Sequence, residues 1–195
     1  MRLFRKIFKQ KGTSNYEVMA PQIILGVKMD KLTDLFTIIQ AIPYRCRAKS
    51  HTTSFLNIPY ANCSQKRELL KKELALNGHE TRCLDGIFDW RDLPIPAEIL
   101  NILKKSGTLQ KHHLLEVQVD ENYIKVDPTW NLELEAKGFP VTKNWDGKSD
   151  TKQITDGRVI FYYSQNQSVK LPYFSEEREN FARELNIWLG WSSNI

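Results

Sequence analysis

The chain has 195 residues, 41% hydrophobic and 11% aromatic, which is enough for a sizeable core and too apolar for a wholly disordered chain. It carries 28 Lys and Arg against 23 Asp and Glu, a formal charge of +5, yet Arg2, Arg5, Lys6, Lys9 and Lys11 stand in its first eleven residues without an acid. The rest of the chain has no net excess, which argues against a nucleic-acid partner, because phosphate binding needs basic residues clustered on a folded face.

Residues 1–12 form a basic tip in which Leu3, Phe4, Ile7 and Phe8 share a helical stripe. Such a short stripe could touch an anionic membrane surface, although three turns of helix are marginal alone. Residues 13–195 read as a single domain, with no repeat, linker or low-complexity tract. No run approaches the roughly 18 apolar residues of a membrane span, and no apolar stretch of signal-peptide type follows the basic start. Cys46, Cys63 and Cys83 are odd in number and widely spaced, which fits neither a disulfide framework nor a CxxC zinc site. A cytoplasmic protein without metal or other cofactor is the expectation.

From Asp30, Leu32, Leu35, Phe36 and Ile39 recur at helical spacing until Pro43 stops the pattern. A second helix is expected from Cys63 to Asn77, with Leu70 and Leu74 on one stripe and Leu69 and Leu76 beside it. Asn62 is its candidate N-cap and Gly78 its left-handed C′ residue. Thr81 to Phe88 reads as a strand and Pro96 to Leu103 as a short helix. The segment HHLLEVQVDENYIKVD, residues 112–127, reads as a hairpin turning at Asp120 and Glu121. That turn opposes Val119 to Asn122, Val117 to Ile124 and Glu116 to Lys125, and it puts His113, Leu115, Val117, Val119, Ile124 and Val126 on one face. His112 falls on the other face as a diagonal neighbour of Asp127. Val159 to Ser164 reads as a strand, and Ser175 opens a last helix with Phe181, Leu185 and Trp188 on its buried stripe. Helices and antiparallel strands in this mixture predict an α+β fold.

Cys63 opens a helix, where unpaired N–H groups and the macrodipole favour the anionic, reactive form of a thiol. It lies on the stripe of Leu70 and Leu74, so its sulfur is expected to point toward whatever packs there, with the hairpin edge carrying His112 as the candidate. An imidazole could take the thiol proton, and Asp127 could orient the ring. The Cys63 backbone N–H is the candidate first oxyanion donor. Asn62 and Gln65 follow from capping and from solvent exposure. Cys83 is expected as a small buried apolar residue, and Cys46, between Arg45 and Arg47, as a somewhat reactive thiol without a base.

The run NCSQKRELLKKELALNGHETRC, residues 62–83, resembles the transglutaminase-like cysteine superfamily: a cysteine opening a helix, then a glycine-marked turn into a strand. The run HHLLEVQVDENYIKVDPTW is similar to that superfamily's second signature, a histidine followed by E-V, a turn and V-D-P-T-W. The resemblance covers roughly residues 60–131. It implies a papain/transglutaminase-like core, with the nucleophile helix packed on an antiparallel sheet, and a Cys63, His112 and Asp127 triad. Glu116, four residues after His112, selects that histidine, and His113 is then a core or edge residue. Lys111, Leu114, Ala61 and Ser64 depart from the glycine and tryptophan residues common around the two signatures, which bears on the substrate pocket.

The expected function is a cysteine-dependent acyl-chemistry enzyme that hydrolyses a peptide or isopeptide amide of a peptide or protein substrate. The alternatives are transfer of a protein glutamine acyl group to an amine, and a non-catalytic transglutaminase-like binding module. De-N-glycosylation ranks lower, because the paired CxxC zinc ligands of peptide N-glycanases are absent. Trp130 and Trp90 are the candidate substrate-binding residues. The DGKSD run at 146–150 resembles a calcium loop only superficially, lacking the bidentate glutamate.

Overall fold

In the computed structural model, which describes residues 31–47, 58–165, 169, 171 and 175–192, helix α1 spans Leu32–Ala41 and buries Leu32, Leu35, Phe36 and Ile39. Its N-cap position is Lys31; Asp30 and the basic tip 1–12 lie outside the described residues. Helix α2, Cys63–Leu76, starts on a capping box. The Asn62 side chain accepts from the Gln65 N–H at 3.0 Å, and the Gln65 side chain accepts from the Asn62 N–H at 2.9 Å. Two otherwise unpaired donors are satisfied reciprocally, which fixes where the helix begins and so where Cys63 sits. Gly78 follows with φ +79°, a conformation that a side chain would strain. Replacing Asn62 with alanine should remove about 1 kcal/mol of stability and lower Tm by roughly 2–4 °C in a thermal melt.

The α2 stripe differs from the expectation at both ends. Leu70 and Leu74 are fully buried, but Leu76 is 73% exposed, because the helix ends there and turns away at Gly78. At the other end, Lys66 joins the stripe and is itself fully buried.

Strands β1 (Thr81–Asp89), β2 (Leu109–Val119), β3 (Asn122–Val126) and β4 (Ile160–Tyr163) form one antiparallel sheet in the order β3-β2-β1-β4. The hairpin register is Val119 to Asn122, Val117 to Ile124 and Glu116 to Lys125, as alternation of polarity requires. Lys125 does not pair with Glu116. Its Nζ turns to Asp150 Oδ2 at 3.0 Å, and Asp150 Oδ1 also takes the Lys125 N–H at 2.8 Å. Asp146, in the same DGKSD run, spends Oδ1 on the N–H groups of Lys148 and Ser149. Gly86 lies at the centre of β1, opposite His112; a Cβ there would come within 2.8 Å of Val159.

Between β1 and β2 lie a 3₁₀ turn (Trp90–Asp92), helix α3 (Ala97–Leu100) and a second 3₁₀ turn (Asn101–Leu103), so the expected short helix changes pitch part-way. A third 3₁₀ segment, Leu132–Lys137, follows β3. Helix α4, Glu176–Leu189, is capped by Ser175, whose hydroxyl accepts from the Arg178 N–H. The architecture is α+β, with four α-helices and a four-stranded antiparallel sheet among the described residues. Among the described residues no helix is long and apolar enough to cross a membrane.

Two apolar clusters organise the interior. In one, α1 and α2 pack their leucines and Phe36 onto Leu115, Val117, Ile124 and Val126 of the hairpin. In the other, Phe88, Trp90 and Trp130 meet Phe181 and Leu185 of α4. Tyr44 and Cys46, from the segment after α1, belong to the second cluster and are held from far along the chain. The Asn131 side chain accepts from the Tyr44 N–H at 2.9 Å. The Asn186 side chain accepts from the Cys46 N–H at 2.9 Å and donates to its carbonyl at 3.0 Å.

Candidate active site

Cys63 is the first residue of α2, at the helix end where N–H groups lack intrahelical partners and negative charge is favoured. The residue before the cap is also locked. Ala61 is fully buried and forms a parallel bridge with Tyr44, donating to Pro43 O at 3.0 Å and accepting from Arg45 N–H at 3.1 Å. The nucleophile candidate is therefore fixed on one side by the capping box and on the other by this bridge.

His112 and Asp127 meet as the hairpin diagonal requires. His112 is 1% exposed, and its Nε2 donates to Asp127 Oδ2 at 2.7 Å. The ring nitrogen left over is Nδ1. Asp127 is itself oriented: Oδ1 accepts from Thr129 N–H at 3.0 Å, and its own N–H donates to the Thr151 hydroxyl at 2.9 Å. Phe88 sits edge-on to the His112 ring, with centroids 6.1 Å apart. Burial works against the charged imidazole. The Asp127 charge and hydrogen bond, with the Cys63 side chain adding to them, prevail and push its pKa up to about 10.

Cys63 and His112 line one cleft of about 220 Å³, with Asp127 behind the imidazole. Trp90 and Trp130 line it too. Both are nearly fully buried in the second apolar cluster; the Trp130 indole donates to Ile154 O at 2.8 Å, and Trp90 packs against Phe88 and Phe181. They are rigid walls of the cleft. Arg178, Arg47 and Lys111 contribute cationic groups to the lining, each engaged locally. Arg178 donates to Gln110 and to three carbonyls, Arg47 pairs with Glu179, and Lys111 with Asp85.

No family model, curated protein or solved structure matches this chain.

The other two cysteines are differently placed. Burial pushes the Cys46 thiol up to about 11, against the opposing pull of Tyr44 and Arg47, so the reactivity expected from its two arginine neighbours is not realised. Cys83 is half-buried, packed against the cluster of α1, α2 and the hairpin. All three are free thiols. Gln65, expected in solvent, is part of the capping box and half-buried.

Two features beside the triad candidates escaped the sequence reading. The first is a buried carboxylate: Asp85, 1% exposed, receives Lys111 Nζ and His113 Nδ1 at 2.7 Å and Arg67 Nη1 at 3.0 Å. His113 is thus not a neighbour of the apolar core but the cross-strand partner of an acid. Burial lowers its pKa, Asp85 opposes this, and the outcome is about 4. Burial alone would raise the Asp85 carboxyl, but Lys111 and His113 hold it below the usual carboxylate range. The second is Lys66, whose Nζ donates to Gln40 O and Pro128 O at 3.1 Å and to Thr129 O at 3.0 Å. A signal existed for it, since Lys66, Leu70 and Leu74 fall four residues apart on one stripe.

Proposed function

We propose that the protein is a cysteine-dependent acyl-chemistry enzyme that hydrolyses a peptide or isopeptide amide of a peptide or protein substrate. The observation that carries this reading is a buried imidazole fixed by a carboxylate at 2.7 Å, sharing a cleft with a cysteine that begins a helix. The likeness to the transglutaminase-like superfamily gives the same three residues, and the packing of α2 on the hairpin supports a papain-like core. In this mechanism the Cys63 thiol passes its proton to His112, and the sulfur of the resulting thiolate attacks the amide carbonyl. A carbon–sulfur bond forms, and negative charge collects on the carbonyl oxygen, where the Cys63 N–H at the helix start can donate. The imidazolium of His112 gives its proton to the departing amine as the carbon–nitrogen bond breaks, leaving a thioester. Water, deprotonated by His112, then attacks the thioester, releasing the carboxylic acid and restoring the thiol. Asp127 holds the ring and balances its charge throughout.

Hydrolysis is favoured over transfer to an amine because Ser64, and not tryptophan, follows the nucleophile. The three free thiols support a reducing, cytoplasmic compartment. The test is alkylation of the folded protein with iodoacetamide, followed by mass mapping. Selective modification of Cys63 over Cys46 and Cys83, lost in Cys63→Ala, is the expected result. Equal modification of Cys63 and Cys83 would remove the case for an activated nucleophile and leave a binding module in its place.

A further inference from the structure

We propose that Lys66 is a positioning residue for the triad, setting the distance between the nucleophile helix and the segment that carries Asp127. The inference rests on the enzymatic reading of Cys63, His112 and Asp127 given above. Lys66 stands one helical turn after Cys63 on α2 and is fully buried. Two of its three acceptors, the carbonyls of Pro128 and Thr129, directly follow Asp127 in the chain; the third, Gln40 O, belongs to α1.

These contacts close a circuit. Lys66 Nζ holds Thr129 O, Thr129 N–H holds Asp127 Oδ1, Asp127 Oδ2 holds His112 Nε2, and His112 shares the cleft with Cys63, three residues before Lys66 on the same helix. A displacement at Lys66 is therefore passed to Asp127 through a single residue pinned at both its N–H and its C=O. Packing alone gives no reason for an amine at this place. Leu70 and Leu74 fill the same stripe, and apolar replacement of a buried charged group is often neutral or stabilising. Burial draws the amine's pKa down to about 7 against the pull of Asp127, Glu133 and Cys63, a measure of how unfavourable the site is for a charge. A flexible four-carbon stem ending in three donors is suited to joining three carbonyls from two segments.

The experiment measures iodoacetamide alkylation of Cys63 in the full chain, alongside the low-field proton resonance of the His112 ring. Lys66→Met should slow alkylation at least tenfold and shift or broaden that resonance. Lys66→Gln, which keeps an amide donor but cannot span the three carbonyls, serves the same purpose if the methionine variant does not fold. Lys66→Arg, which retains charge and donors, should remain within threefold of the parent. Leu74→Ala, which opens a cavity on the same stripe, is the control for lost stability and should leave the rate within threefold. A folded Met or Gln variant that reacts within twofold of the parent overturns the proposal, as does an equal slowing in Leu74→Ala. If the parent itself shows no preference for Cys63, the enzymatic reading fails first, and the positioning role falls with it.

Discussion

Replacing Asp85 with alanine is expected to destabilise the protein by about 3 kcal/mol, because it strips the shared carboxylate from Lys111, His113 and one arm of Arg67 at a site with 1% exposure. Removing one member of a buried ionic cluster costs more than the cluster itself contributes, since the half-buried Lys111 and Arg67 and the His113 ring lose the acceptor they share. For a chain of this length the loss corresponds to a fall in Tm of roughly 6–12 °C, measurable by calorimetry or circular dichroism. The same cluster sets an acid limit. His113 binds its proton near pH 4 when folded and near its ordinary value when unfolded, so the unfolded state takes up the proton first and stability falls as pH drops from about 6.5 toward 4. Asp85, held below the usual carboxylate range, contributes stability at higher pH that is lost on further acidification. Urea titrations at pH 7 and pH 5 should therefore differ in the parent. In Asp85→Ala the difference should persist or widen, because Asp85 opposes the burial that lowers the His113 pKa and its loss leaves that burial uncompensated. A variant as stable as the parent at both pH values would show that the cluster is solvated.

His112→Ala should slow alkylation of Cys63 by about a hundredfold at neutral pH, the usual scale for loss of a positioned acid–base partner. Turnover of any amide substrate should fall further, because the same ring also delivers the proton to the leaving amine. The imidazolium is charged up to about pH 10 in the folded protein, so it contributes stability below pH 6.5 that is lost as pH rises through about 10. His112→Ala should accordingly flatten the alkaline limb of a stability profile while leaving the acid limb, which belongs to Asp85 and His113, in place. His113→Ala is the companion variant: it should leave the Cys63 rate nearly unchanged, since its ring is committed to Asp85. If the two histidine variants slowed alkylation equally, the assignment of His112 as the partner of Cys63 would be wrong.

The parts of the site that could be read from sequence are those fixed by local rules. Asn62 and Gly78 mark the ends of α2 because caps answer to a few donors and acceptors within one turn, and the Cys63 position follows from them. The hairpin register follows from alternation, and it alone brings Asp127 to His112. The residues that were missed depend on partners far along the chain. Lys66 sits among Arg67, Lys71 and Lys72 and reads as one more solvated charge; its burial follows from carbonyls at positions 40, 128 and 129. Asp85 is an acid in an apolar strand, and its three donors, Arg67, Lys111 and His113, come from α2 and β2. Lys125 stands opposite Glu116 in the hairpin register, yet Asp150 offers both a carboxylate for its ammonium and an acceptor for its N–H. A cross-strand neighbour supplies only the first.

Asn186 grips Cys46 across 140 residues of sequence. Closing so long a loop is an entropic expense that only later contacts recover, so this junction belongs among the last to form in folding. During synthesis the wall of the cleft formed by Tyr44 and Cys46 therefore cannot be completed until α4 has left the ribosome. Until α4 is made, the cleft that Cys63 and His112 line lacks the wall to which Arg178 and Phe181 belong.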